Sequence, residues 1–277
     1  INACGRMGHQ EDALNLFLTD DPIEARKLAA KLEEYNRERQ DIEKRIYNES
    51  LSLLEKEKDK PCIVIGSEGW HHGVIGIVSS KITELTYKPS ILVCFEGENS
   101  KGSGRSIPGF DIHDAVVNCS KYLTAAGGHS MAIGLSLKTR DFLNFKNAMI
   151  EYAKSKNIEN LKPEILIDYE ITVQDLKIEE IAKIDYLEPF GEGNDMPVIM
   201  YKNLKIISIR TLSEGKHVKL VLIDGNNYID VIGFNMGDLA NIYQIGDRVD
   251  IVGNIGINRY KDIENIQITL KDIRQSI

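Results

Sequence analysis

A chain of 277 residues is long enough for two domains. Its 42% hydrophobic and 27% charged content is ordinary for a soluble globular protein, and no apolar run approaches the roughly 18 residues that a membrane span needs. The formal net charge of −8 argues against a uniformly basic nucleic-acid binder. The charge is local, however: residues 157–200 carry eleven acids against three bases, whereas residues 61–156 carry ten bases against eight acids. A basic cleft elsewhere is therefore compatible with the total. The four cysteines, Cys4, Cys62, Cys94 and Cys119, have no metal-ligand spacing and fit a reducing compartment, with Cys62 and Cys94 as buried thiols.

In chain order, Asn2-Ala3-Cys4-Gly5-Arg6-Met7-Gly8 reads as a loop and Glu11–Leu18 as a short helix, together the tail of a domain over residues 1–19 whose body precedes Ile1. Asp20-Asp21-Pro22 is a helix start, with an acid at the cap and proline in the first turn. Apolar residues then recur at helical spacing without Gly or Pro to Lys60, which predicts a rod about 50 Å long or more over residues 20–60. Its unbroken length favours a spacer joining two domains over a plain amphipathic helix.

Residues 61–156 alternate strand and helix, the pattern of an α/β domain. Strands are expected at Cys62–Gly66, Ser90–Phe95 and Met131–Leu137, with a short one closing at Ser106–Ile107. Helices are expected at Val74–Leu85, Asp111–Tyr122 and Thr139–Lys156, the last two capped by Asp111 and Thr139. Residues 157–197 form an acidic connector with one strand (Ile165–Ile171), one helix (Ile178–Ile184) and a Pro/Gly-rich end. Residues 198–277 hold five strand-like runs, with a helical piece at Met236–Tyr243 between the third and fourth. That order suggests an OB-fold barrel, with an SH3-like barrel as the alternative. The fold class is thus α/β plus all-β.

Three motifs carry chemistry. Gly127-Gly128-His129 pairs glycines that let backbone N–H groups approach a ligand with a histidine that can bond a phosphate oxygen. Gly102-Ser103-Gly104-Arg105-Ser106 supplies a hydroxyl and a planar cation, or is only a flexible hairpin. Glu68-Gly69-Trp70-His71-His72-Gly73 leads into a helix whose open N-terminus suits an anion; alternatively it is an ordinary turn with Trp70 in the core. Adjacent His71 and His72 point apart and have no i,i+4 partner, so no metal site is assigned. In the barrel, Tyr201, Tyr228, Phe234, Tyr243 and Tyr260 could stack bases and Arg210, Lys216, His217, Lys219, Arg259 and Lys261 could meet phosphates, or most of the aromatics are core.

Taken in order, these motifs resemble the C-terminal part of RecJ-type single-strand-specific DNA exonucleases of the DHH phosphoesterase superfamily. Residues 2–8 resemble the last motif of the DHH catalytic domain, and residues 20–60 the family's connecting helix. Trp70–Val78, Gly102–Ser106 and Gly127–His129 resemble the signatures of the DHH-associated domain, and Glu188–Asn194 the link into the OB domain. Asp195-Met196-Pro197 departs from the family, where proline usually follows the asparagine directly.

The resemblance implies a metal-dependent 5′→3′ exonuclease on single-stranded DNA, acting in repair and recombination in the cytoplasm. It implies two Mn²⁺ or Mg²⁺ ions bound by the DHH domain and none by these 277 residues, which alone would be inactive. His129 would bond the scissile phosphate as the catalytic residue. Arg6, His71, Gly102, Ser103, Arg105, Ser106, Gly127 and Gly128 would bind substrate. Single-stranded DNA is the implied partner, with single-strand-binding protein or a helicase as further ones. The alternatives are an oligoribonuclease or nucleotide phosphoesterase of the same superfamily, against which the barrel argues, and a non-catalytic nucleic-acid-binding scaffold.

Overall fold

The computed structural model describes residues 1–260 and 263–276, and divides into two compact units, Ile1–Pro163 and Glu164–Ile277. In the first unit, α1 (Asn2–Met7) and α2 (Gln10–Leu18) precede the long α3 (Pro22–Leu54). The residues read as a loop at the start are therefore a helix. Ala3 and Cys4 are buried, Cys4 within the cluster formed with Ala13 and Leu32, and this tertiary contact overrides the local glycine signal. Gly8 then ends α1 in the left-handed conformation, φ 84°. Helix α3 starts as expected, with the Asp21 carboxylate accepting from Ile23 N at 2.8 Å, but ends at Leu54, six residues before Lys60. Its first half packs on α1 and α2 through Leu28 and Leu32; its second half packs on the sheet through Ile46.

The sheet of this unit has the order β1 (Ile63–Glu68), β2 (Ser90–Glu96), β3 (Asn99–Arg105), β5 (Ala132–Lys138), β4 (Ala125–His129). Strands β1 and β2 are parallel and every other pairing is antiparallel. Ile63–Ile65 of β1 and Ile91–Cys94 of β2 are continuous buried apolar runs because both faces of the sheet are covered there. Ile63, Ile65 and Leu92 face α3 and α4 (His72–Thr86). Val64, Ile91 and Val93 face the opposite core, with Phe145 and Met149 of α6 (Phe142–Ser155) and Ala115 of α5 (Ile112–Asn118). Asp111 caps α5 by accepting from Asp114 N at 2.9 Å. Thr139 does not cap α6: it opens a 3₁₀ turn, and its hydroxyl donates to Gly97 O at 2.6 Å. Buried Glu43 of α3 pairs with both Arg39 and Lys81, tying α3 to α4.

The second unit is a closed barrel of β7 (Ile199–Leu212), β8 (His217–Asp224), β9 (Asn227–Gly233), β11 (Ile263–Gln275) and β10 (Arg248–Tyr260), with β10 returning to pair with β7. The helix between β9 and β10 is α8 (Leu239–Ile242), so order, helix position and closure are those of an OB-fold. Inward residues alternate along the strands, as at Val218, Leu220 and Leu222. In the connector, the strand expected over Ile165–Ile171 is only β6 (Tyr169–Glu170), paired parallel with β7, and the helix is α7 (Ile178–Ile181) followed by a 3₁₀ segment. Asn194 ties the Pro/Gly-rich end together, donating to Leu187 O at 2.8 Å and Pro189 O at 3.0 Å. At the departure from the family pattern, Met196 O and Pro197 O both accept from Asn254 Nδ2, at 3.0 and 2.8 Å.

Candidate phosphate-binding cleft

Helix α4 lies on the α3-facing side of the sheet, and two glycines on one of its faces set how closely. A Cβ on Gly73 would stand 2.2 Å from Arg6 O, and one on Gly76 would stand 2.9 Å from Ser103 Oγ and 3.4 Å from Arg105 Nη2. Glycine at i and i+3 therefore lets α1 and β3 approach α4 directly. The consequence is an open cavity of about 650 Å³, lined by Asn2, Arg6, His72, Gly73, Gly76, Ser103 and Arg105 among others.

Arg6 and Arg105 enter this cavity from different elements. The Arg6 guanidinium donates to Gly73 O at 3.2 Å; that of Arg105 donates to Gly104 O at 2.8 Å and Ser103 Oγ at 3.3 Å. Those acceptors are neutral. Among the described residues no carboxylate ion-pairs with either guanidinium. Burial first, and the charge of Arg6 second, press the Arg105 guanidinium below its ordinary value. Two guanidiniums from different elements thus line one cavity beside a hydroxyl and the N-terminus of a 15-residue helix, a set of donors whose chemistry suits an anion.

The segment Gly102–Arg105 is thus strand rather than hairpin loop, and its residues divide by the period of two. Ser103 and Arg105 face the cleft. A Cβ on Gly102 or Gly104 would meet Leu135 Cδ1 at 2.7 Å or Ile133 Cδ1 at 2.9 Å, so these glycines make room for the opposite core. Ser106 lies beyond β3, buried, with its hydroxyl donating to Phe110 O at 2.6 Å.

Gly127-Gly128-His129 is the exposed edge strand β4. The register carries it to the cleft row by row: Gly127 opposes Gly134, which opposes Ser103, and His129 opposes Ala132, which opposes Arg105. His129 therefore shares a face with Arg105, two strand spacings or about 10 Å away, and is not in the cavity wall. Its Nδ1 accepts from Met131 N at 3.4 Å. Gly127 has open space on that face. Gly128 (φ 145°) has none, since a Cβ there would stand 2.2 Å from Ala132 O.

His71 folds back as the cap of α4, its Nδ1 accepting from Gly73 N at 3.1 Å, and burial holds its imidazole below the usual value. It is His72 that lines the cleft. The doublet alone could not separate the two, because the choice depends on which imidazole the cap consumes. Trp70 is core, 4% exposed, with Nε1 donating to Glu49 Oε2 at 2.7 Å. All four cysteines are buried and unpaired. Burial pushes the Cys62 thiol up to about 12 and the Cys94 thiol to about 11.

In the barrel, Tyr201 is core, its hydroxyl donating to Asp224 Oδ2 at 2.8 Å, and partly buried Tyr243 donates to Ile273 O at 3.2 Å. Tyr228 and Phe234 are exposed, Phe234 edge-on to His217. Lys219 is paired with Asp230 at 3.1 Å and Arg259 with Glu264 at 2.8 Å, while Arg210 and Lys216 are exposed. Lys261 and the side chain of Tyr260 lie outside the described residues.

Among the described residues, no group of three or more His, Cys, Asp or Glu could hold a metal ion. The donor set of the described residues does not fit the two-ion centre that the resemblance implies, and no metal chemistry is assigned to it. No helix of the described residues is long and apolar enough to cross a membrane.

Comparison with known proteins gives the same division. Residues 45–155 match the model of the DHHA1 domain, and residues 167–272 that of the RecJ OB domain. The single-stranded-DNA-specific exonuclease RecJ of Bacillus subtilis is 33% identical over 277 residues, 98% of this chain and 35% of the relative. The protein of that name from Escherichia coli is 29% identical over 99% of this chain and 49% of its own length. The crystal structure of RecJ in complex with Mn²⁺ from Thermus thermophilus superimposes with a TM-score of 0.84 at 29% identity, over 100% of this chain and 40% of that one. The chain thus spans about a third to a half of the length of the curated relatives it matches. With both domain models in this order and structural agreement over its whole length, the chain belongs to the RecJ family and corresponds to its DHHA1 and OB part.

Proposed function

We propose that this chain is the substrate-holding part of a metal-dependent exonuclease that degrades single-stranded DNA 5′→3′, and that the cleft between α1, α4 and β3 grips the phosphates of the strand. The observation that carries the reading is the Arg6–Arg105 pair, with Ser103 between the strand and the helix and, among the described residues, no carboxylate ion-paired with either guanidinium. A phosphodiester supplies the missing charge, and the planar guanidiniums donate to its oxygens in pairs. His129, on the same face, would donate to the scissile phosphate and stabilise charge developing there. Gly127, with open space at its Cβ position, would let the strand approach the β4 backbone closely. Gly102, Gly128 and Ser106 act indirectly in this reading, by seating β3 and β4.

Hydrolysis itself needs the two Mn²⁺ or Mg²⁺ ions of a DHH domain, which would activate water and polarise the phosphodiester. These 277 residues alone would bind and not cut. The barrel would hold the incoming strand through Tyr228, Phe234, Arg210 and Lys216. Single-strand-binding protein or a helicase would deliver the substrate in the cytoplasm, during repair and recombination.

The test is titration of a fluorescent single-stranded oligonucleotide and a duplex of equal length, at two salt concentrations, with and without Mn²⁺. The expected result is single-strand preference that weakens with salt, persists without Mn²⁺, and yields no cleavage products. Equal affinity for duplex, or none for either, would remove the reading.

A further inference from the structure

The cavity wall contains one ionisable residue that the reading above leaves unused. His72 opens α4 with its side chain half exposed, and its Nδ1 stands 3.0 Å from Glu96 Oε1 at the end of β2. A carboxylate can only accept there, so Nδ1 carries the proton and Nε2 is the ring nitrogen left free. In the neutral ring, Nε2 presents a lone pair, which repels a phosphate oxygen. In the imidazolium it presents an N–H that donates to one.

The surroundings favour the second state once an anion is present. Glu96 faces His72 directly, and Cys94 Sγ lies 3.7 Å from the same carboxylate oxygen. Lys101 on β3 approaches the other oxygen at 4.0 Å. His71 stacks on His72 at 5.3 Å, and Glu38 of α3 acts on His71. Arg6 and Arg105 line the same cavity. The arginines oppose a third positive charge while the cleft is empty, and a bound phosphate removes that opposition.

We propose that His72, positioned by Glu96, is a proton-dependent third phosphate ligand of this cleft, so that strand binding takes up a proton and strengthens below neutral pH. The proposal rests on the cleft being the phosphate site. It supplies what the arginines cannot, an imidazole donor, the side-chain class that can gain or lose its charge near neutral pH.

The experiment uses the 277-residue chain and a 5′-hydroxyl oligothymidylate, in which neither phosphodiesters nor bases titrate between pH 6 and pH 8. Affinity should rise about fivefold from pH 8 to pH 6 in the parent chain and change less than about twofold in H72Q, whose amide does not titrate. In E96Q the rise should move to lower pH, because the carboxylate that favours the imidazolium is gone. NMR of the His72 ring should show its midpoint move upward when the oligonucleotide is added. Glutamine at a half-exposed site leaves folding unaffected, which circular dichroism would check. The other histidines, His129 included, remain in H72Q, so a pH gain retained there overturns the proposal. Binding that depends on Arg105 but is flat with pH would overturn the role of His72 and leave the cleft standing. Binding unaffected by R105A, or no binding at any pH, would overturn both.

Discussion

The two units reveal themselves through opposite kinds of signal. In the barrel, five strand-like runs separated by turn signals, with a helical piece between the third and fourth, give the order of elements, and strands such as β8 and β9 alternate inward and outward residues around the closed barrel. The same alternation says little about ligands, because an aromatic residue looks alike on either face: Tyr201 is core and Tyr228 is 70% exposed. In the α/β unit the ligand signal comes from residues that break the local pattern, such as glycines inside α4 and β3 and an arginine in a strand that has no ion-pair partner among the described residues. Regularity specifies the fold, and departures from it mark the site.

The largest effect that would break this comparison is on the cations. R105A removes a partly buried charge-assisted donor, and the expected loss of single-strand affinity is about 10- to 100-fold by equilibrium titration. Folding should be unchanged or slightly improved, since burial and the charge of Arg6 both oppose the guanidinium in the empty cleft. A variant that binds as well as its parent would place the phosphate elsewhere.

Next in size is the pair of glycines. G73A drives a Cβ to 2.2 Å from Arg6 O. The cost is about 1–3 kcal/mol of overpacking, which outweighs the helix preference of alanine. It should appear both as a lower urea midpoint and as weaker binding, because α1 must move away. G5A, on α1 with nothing within 4 Å of its new methyl, should gain up to about 1 kcal/mol instead. Equal responses at the two positions would show that Gly73 is not a packing residue.

In the barrel, Asp250 offers the matching test of stability. Burial works to raise its carboxyl, but hydrogen bonds from Ser276 Oγ, Asn203 N and Arg274 Nε together hold it below the ordinary value. A depressed carboxyl stabilises the fold above its unfolded value near 4, and that stability is lost as pH falls through the lower folded value. D250N should cost about 1–3 kcal/mol at pH 7 and reduce the acid sensitivity of the barrel. Unchanged stability at both pH values would contradict the account. Smallest for folding is Y228A, expected within about 0.5 kcal/mol of the parent, yet about 1–3 kcal/mol weaker in binding if a base stacks there.

Much of the α/β unit was legible because β1 and β2 hold short apolar runs, Ile63–Ile65 and Ile91–Val93, buried on both faces, and because its α5 start is an explicit Asp111 cap. What was not legible depends on tertiary contact. Asn2–Met7 reads as a loop by composition, and burial of Ala3 and Cys4 makes it a helix. Thr139 looks like a cap, but its hydroxyl is drawn to Gly97 O. Within the site, Ser103 and Arg105 stand on the cleft face while Gly102 and Gly104 face the core, a split that follows from strand period once the segment is known to be β3. The roles of His71 and His72 were not separable, because only the placement of α4 decides which ring is spent on the cap.

On the proposed reading this chain holds a DNA strand by its phosphates, in the α1–α4–β3 cleft. The most direct measurement is the salt dependence of single-strand binding for the parent chain and the R6A/R105A double variant. The expected result is a loss of more than about 100-fold in the double variant and a salt slope shallower by about one to two ions. Affinity and slope within twofold of the parent would contradict it and assign strand binding to the barrel alone.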